Sequence, residues 1–216
     1  MDVLSTLGGL GIIPVVKIED SNFAGRLGEA LINGGLPCAE ITFRTRNAEE
    51  SIQRLIAAQP EMLVGAGTVL SMDQAKQAIS AGARFIVSPG LNIQVVDWCL
   101  EQGVTVIPGI ATPSEAMLAM RRGLNVLKFF PAEALGGINY LNAISPALPG
   151  ARYLPTGGIS AENMITWLKL PYIHAVAGSW MATPKLLAES RFEEITRLAS
   201  QAVENVRTAR QKTEEK

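Results

Sequence analysis

The chain is short of cysteine, of histidine and of net charge, and each shortage removes a class of function. Only two cysteines, Cys38 and Cys99, occur in 216 residues, far apart in sequence. They suggest neither a disulfide framework nor a zinc cluster, which points to a reducing compartment, the cytoplasm. His174 is the single histidine and has no carboxylate cluster around it in sequence. That argues against a metal-dependent mechanism. The 19 basic and 20 acidic residues leave a formal charge of −1, with no polybasic tract. Nucleic acid and membrane surfaces therefore have no electrostatic footing. No apolar run is long enough to span a bilayer. The opening Met1-Asp2-Val3-Leu4 lacks the basic region and apolar core of a secretory signal. The first strand candidate ends Lys17-Ile18-Glu19-Asp20, without the glycine-rich loop of a dinucleotide site.

What is present is an alternation of short β-rich runs with amphipathic helical stretches. The runs are 12–18, 39–44, 63–69, 85–89, 105–110, 126–131, 153–157 and 175–179. Helical periodicity predicts helices near 21–33, 47–58, 72–81, 92–102, 113–122, 138–146, 160–168 and 184–189, then a long one over about 191–211. Ser71, Thr112 (followed by Pro113) and Ser160 stand at N-cap positions. Gly34-Gly35, Gly82, Gly103 and Gly123 close the preceding helices. Eight such units predict one α/β domain over residues 1–216, a (β/α)8 TIM barrel with short loops and a frayed tail at 212–216. A doubly wound open sheet is the alternative.

Strand parity then sorts the polar residues. Chemistry in such a barrel sits at the C-terminal strand ends, with side chains alternating between interior and helix layer. Glu40, Thr42 and Arg44 share one face of the second strand, and Ile41 and Phe43 the other. Ala66 and Thr68, then Val126, Lys128 and Phe130, then Leu154 and Thr156 share faces on later strands. Lys128 is the most informative residue, because Val126-Leu127-Lys128-Phe129-Phe130-Pro131 surrounds an amine with apolar groups. Loss of hydration favours the neutral amine, a nucleophile that forms a Schiff base with a carbonyl. The bland readings are a lysine paired with a buried carboxylate, or one reaching water at a strand end. If Lys128 points inward, it shares a barrel mouth with Glu40, Arg44, Thr68 and Thr156. Arg44 could then clamp a substrate carboxylate and Glu40 could shuttle protons, while a self-satisfied Glu40/Arg44 pair is the structural alternative. Gly157-Gly158 and Gly178-Ser179 follow the last two strands, where backbone N–H groups and helix N-termini can hold an anion; tight turns without a ligand are the alternative. Pro89-Gly90 and Pro108-Gly109 shape the mouth, and Lys17 could add to the anion pocket. Trp98, Trp167 and Trp180 read as core or interface, and His174 as structural or exposed.

The segments Glu40-Ile41-Thr42-Phe43-Arg44-Thr45, Val64-Gly65-Ala66-Gly67-Thr68-Val69, Lys128-Phe129-Phe130-Pro131-Ala132-Glu133 and Pro155-Thr156-Gly157-Gly158-Ile159 give the chain a family likeness. With Ile13-Pro14-Val15-Val16, Val87-Ser88-Pro89-Gly90 and Ile107-Pro108-Gly109, it resembles the 2-keto-3-deoxy-6-phosphogluconate (KDPG) aldolases, also described as 4-hydroxy-2-oxoglutarate aldolases, over nearly its whole length. The resemblance implies a class I aldolase without metal or other cofactor, its covalent intermediate on Lys128 and its general acid/base at Glu40. It implies that Arg44 and Thr68 bind the pyruvyl carboxylate, that Pro89 and Phe130 line the pocket, and that Thr156 contacts the substrate. It further implies phosphate binding by Gly157, Gly158 and Ser179, a homotrimer, and cleavage of KDPG to pyruvate and glyceraldehyde 3-phosphate. Alternatives of the same class are aldolases for 2-keto-3-deoxy-6-phosphogalactonate or 4-hydroxy-2-oxoglutarate. More distant ones are a phosphate-binding barrel isomerase or synthase and a non-catalytic barrel.

Overall fold

In the computed structural model, which describes residues 2–214, an α/β fold is built on parallel strands alone. The strands are β1 (Ile12–Val16), β2 (Cys38–Thr42), β3 (Leu63–Gly67), β4 (Phe85–Val87), β5 (Thr105–Ile107), β6 (Gly109–Ile110), β7 (Val126–Phe129), β8 (Arg152–Pro155) and β9 (Val176–Gly178). A curled six-stranded sheet has the order β5-β4-β3-β2-β1-β9, and a three-stranded sheet the order β6-β7-β8. Bridges Tyr153↔Ile173 and Thr156↔Ala177 link the two. Parallel ladders need helical crossovers, so each face of the sheet is covered and the strands read as apolar runs. β1, β2 and β7 are buried at every position.

The helices are α1 (Val3–Leu10), α2 (Ala24–Asn33), α3 (Ala48–Ala58), α4 (Met72–Ser80), α5 (Ile93–Glu101), α6 (Pro113–Met120), α7 (Gly137–Ile144), α8 (Met164–Leu168), α9 (Pro184–Ala188) and α10 (Phe192–Glu214). Ser71 Oγ accepts from Gln74 N–H, and Thr112 forms a full capping box with Glu115. Gly35, Gly82, Gly103 and Gly123 all have left-handed φ just past helix ends. Phe85, Phe129 and Tyr153 of the strands are fully buried, as is Trp167 of α8, whose ring lies 6.5 Å from that of Phe129.

Four expectations need correction. The run 105–110 is two strands, since Pro108 has no N–H to donate and the ladder breaks there. Ser160 does not cap α8. Its Oγ accepts from Glu162 N–H in a turn, and α8 begins only at Met164, after Asn163. α1 falls where no helix is predicted, and Asp2 caps it by accepting from Ser5 N–H at 2.8 Å. The long last helix continues past 211 to Glu214, so the segment foreseen as frayed is helical up to there; Glu215 and Lys216 lie outside the described residues.

Candidate active site

The C-terminal strand ends converge on one cavity of about 270 Å³. It is lined by Glu40, Thr42 and Arg44 from β2 and its extension, Thr68 after β3, and Pro89 after β4. Lys128 and Phe130 enter from β7, Thr156, Gly157 and Gly158 follow β8, and Ser179 follows β9. The polar residues that strand alternation placed at the mouth, Glu40, Thr42, Arg44, Thr68, Lys128 and Thr156, all line it.

Backbone register explains how long polar side chains fit inside. Glu40 pairs with Gly65, Thr42 with Gly67, and Lys128 with Gly109. A Cβ on Gly67 would stand 2.0 Å from Glu40 Oε1, so only glycine leaves room for that carboxylate. Glu40 is wholly buried and Lys128 is 4% exposed, and Lys128 Nζ donates to Glu40 Oε1 at 3.5 Å. Lys128 Nζ also lies 5.4 Å from the Phe130 ring centroid. Glu40 Oε2 is buried with no partner among the described residues. A lone buried carboxylate oxygen is costly, and an incoming hydroxyl would satisfy it.

Arg44 is not held by Glu40. Its Nε donates to Thr42 Oγ1 at 3.3 Å, and Thr42 Oγ1 donates to Val16 O at 3.2 Å. Among the described residues no carboxylate lies within ion-pair distance of Arg44, which leaves its guanidinium at the exposed rim free for an anion. Thr68 carries φ of 55°, a left-handed conformation that costs a β-branched residue energy and turns the chain sharply out of β3 at the mouth.

The glycine loop after β8 is fixed by residues that sequence reasoning missed. Glu133 Oε1 accepts from Trp167 Nε1–H at 2.9 Å and from Asn163 Nδ2 at 3.2 Å. The same Asn163 amide donates to Gly158 O at 2.9 Å. Gly158 has φ of 80°, and a Cβ there would meet Glu133 Cγ at 2.5 Å. Glu133 thus clamps the loop from the end of the Lys128 segment. Among the described residues, the backbone N–H groups of Gly158, Ile159 and Ser179 donate to no other protein group, and all three residues line the cavity. The helix dipole expected here is not supplied, since α8 starts six residues beyond Gly158 and is one turn long. Lys17 does not join the pocket; it pairs with Glu19 at 2.5 Å. Trp167 is core, as expected, yet its indole N–H serves this loop. Neither thiol takes part: burial raises Cys38 far above the ordinary range and Cys99 to about 11.

Comparison with known proteins adds an independent line. A family model for KDPG and KHG aldolase matches residues 3–198. The 2-dehydro-3-deoxy-phosphogluconate aldolase of Treponema pallidum is 42% identical over 94% of this chain and 97% of its own. The KHG/KDPG aldolase of Escherichia coli K12 is 39% identical, over 91% and 92%. Among solved structures, the KDPG aldolase of Legionella pneumophila, with pyruvate captured at low pH as a covalent carbinolamine intermediate, superposes with a TM-score of 0.90 at 36% identity, covering 94% of this chain and 98% of that one.

Proposed function

The chain belongs to the KDPG and KHG aldolase family, and we propose that it cleaves KDPG reversibly to pyruvate and glyceraldehyde 3-phosphate through a Schiff base on Lys128. The observation that carries this is a single buried amine, 3.5 Å from a buried carboxylate, facing a cavity whose rim holds an unpaired guanidinium.

The Lys128 amine adds to the C2 ketone, and loss of water from the carbinolamine leaves an iminium. Glu40 removes the C4 hydroxyl proton. As the C3–C4 bond breaks, its electron pair flows into C3–C2 and onto the iminium nitrogen, giving an enamine and releasing the aldehyde. Glu40 then returns a proton to C3, and water hydrolyses the iminium to pyruvate and free amine. Arg44 and Thr68 orient the pyruvyl carboxylate against this sequence. The short separation of Nζ and Oε1 suits Glu40 to both proton transfers. The chemistry needs no metal, because the iminium is the electron sink.

The free N–H groups of Gly158, Ile159 and Ser179 favour a phosphorylated substrate over 4-hydroxy-2-oxoglutarate. Rates with KDPG, its galactonate isomer and the unphosphorylated acid decide the preference.

Three broader readings accompany this one. The two sheets form one closed (β/α)8 barrel in a single domain, with β5 and β6 as one strand interrupted at Pro108; the bridges between β8 and β9 support it. The protein is cytoplasmic, which suits two unpaired buried thiols. Among the described residues, no helix is long and apolar enough to cross a membrane. It is a homotrimer, and exposed Leu70, Met72, Leu100, Met117 and Leu118 supply apolar surface for subunit contact.

Reduction with borohydride in the presence of pyruvate should place a pyruvyl adduct on Lys128, located by peptide mass spectrometry. Lys128→Ala should fold normally and lose turnover; near-normal turnover in that variant, or an adduct on another lysine, refutes the assignment.

A further inference from the structure

At the opposite end of the strands a second cavity, of about 430 Å³, is lined by Ser5, Arg152, Lys169, His174 and Arg210. These residues come from α1, the start of β8, the turn after α8, the approach to β9, and α10. Three cations share one concavity, and among residues 2–211 none of them has a carboxylate within ion-pair distance; the acidic group nearby is Asp2, whose carboxylate accepts from Ser5 Oγ at 2.7 Å. Like charges gathered without an ion-pair partner repel, and a cleft with low-dielectric walls focuses their field. Backbone contacts hold the guanidinium groups in place. Arg152 donates to Ile173 O at 3.1 Å, and Arg210 donates to Gly8 O and Gly9 O at the end of α1. A carbonyl fixes a guanidinium without neutralising it.

We propose that this cavity is a binding site for a small multivalent anion, a phosphoryl or dicarboxylate metabolite, separate from the Lys128 pocket. The donors are the guanidinium and ammonium groups, since the Ser5 hydroxyl is already given to Asp2, and an anion seated between Arg152 and Arg210 would tie β8 to α10 and, through the Arg210 contacts, to α1. His174 couples the site to protons. Its Nε2 lies 2.8 Å from Leu4 O, which makes Nδ1 the acceptor of the neutral ring, and Nδ1 is buried without a partner among the described residues. Burial is the largest cause holding this imidazole below the ordinary histidine value. The Leu4 carbonyl opposes it, the Arg152 charge deepens it, Asp2 opposes, and Arg210 deepens it again. An anion that offsets Arg152 and Arg210 would relieve both depressions, so binding draws a proton onto His174.

The single histidine makes the test direct, because one imidazole C–H resonance reports this cavity alone. The full-length protein is titrated with inorganic phosphate and, separately, with succinate, against sodium chloride at equal ionic strength. The expected result is a saturable shift of the His174 resonance and a raised titration midpoint with at least one of the two anions; the one that saturates identifies the ligand class. Lys169→Gln, which alters an exposed side chain, should weaken that affinity about tenfold, the worth of one charge-assisted contact, while aldolase turnover stays unchanged. A shift no greater than chloride gives, or one unchanged in Lys169→Gln and in Arg152→Gln, overturns the proposal. Phosphate bound at the Gly158 loop does not move this resonance, so the outcome is independent of the catalytic reading.

Discussion

Gly67 decides whether Glu40 can exist in its position. The carboxylate fills the space that a Cβ would occupy, with Oε1 2.0 Å from the hypothetical atom. Gly67→Ala should therefore displace Glu40, lowering turnover by roughly two to four orders of magnitude, the usual worth of a positioned acid/base. Overpacking should also cost about 1–3 kcal/mol of stability, read from denaturant unfolding. Borohydride trapping of pyruvate on Lys128 should survive, which separates loss of proton transfer from loss of the nucleophile. Full activity in this variant would mean that Glu40 works from another position. At this scale the sequence was highly legible. Alternation by two put Glu40, Thr42, Arg44 and Lys128 on inward faces because a parallel strand leaves its side chains no other choice. What periodicity does not carry is which charges pair: Glu40 meets Lys128 across 88 positions of sequence, and the exposed Arg44 has no carboxylate partner among the described residues.

Between elements, the β7–α7 connection and the turn before α8 are joined by the carboxylate of Glu133. Glu133→Ala removes the acceptor shared by Trp167 and Asn163, and Glu133→Gln keeps an acceptor oxygen. The alanine variant should raise KM for the phosphorylated substrate about tenfold and leave the trapping of pyruvate, which has no phosphate, unchanged. The glutamine variant should restore most of the loss. Equal defects with pyruvate and KDPG would instead point to general loosening of the fold. This network was invisible beforehand because its members lie 30 and 34 residues apart and an indole N–H gives no periodic signal. α1 was missed for a local reason: Val3–Leu10 contains Gly8 and Gly9, poor helix formers, and its stabilising cap is a single aspartate at position 2. The strand 105–110 was read as continuous because its apolar pattern runs unbroken through Pro108, whereas the ladder depends on the missing N–H.

For the molecule as a whole, the sole histidine gives stability a pH signature. The native imidazole titrates below its unfolded value of about 6.5. As pH falls below that value the unfolded chain takes up the proton first, so the folded state loses stability on acidification until the lower native midpoint is passed. His174→Gln removes this contribution. The stability of the natural protein relative to the variant should therefore decline from about pH 7.5 to about pH 5 by thermal unfolding, with a flat difference refuting the shift. Barrel topology was expected from eight repeated units; the strands are all parallel and fall into a six-stranded and a three-stranded sheet. The second cavity was not foreseen, since residues 5, 152, 169, 174 and 210 meet only once both ends of the chain are folded against the strands.

The clamp at Glu133 makes one stretch of chain into a gauge. Lys128, which would grip one end of the substrate, and Glu133, which fixes the loop at the other, are five residues apart across a β-strand end and the turn that follows. Their spacing is set by covalent backbone and cannot stretch to suit the guest. A phosphorylated keto acid one carbon shorter or longer would seat one end or the other but not both at once. Selection by length should then appear as a fall in kcat/KM for such homologues, without any residue devoted to rejecting them.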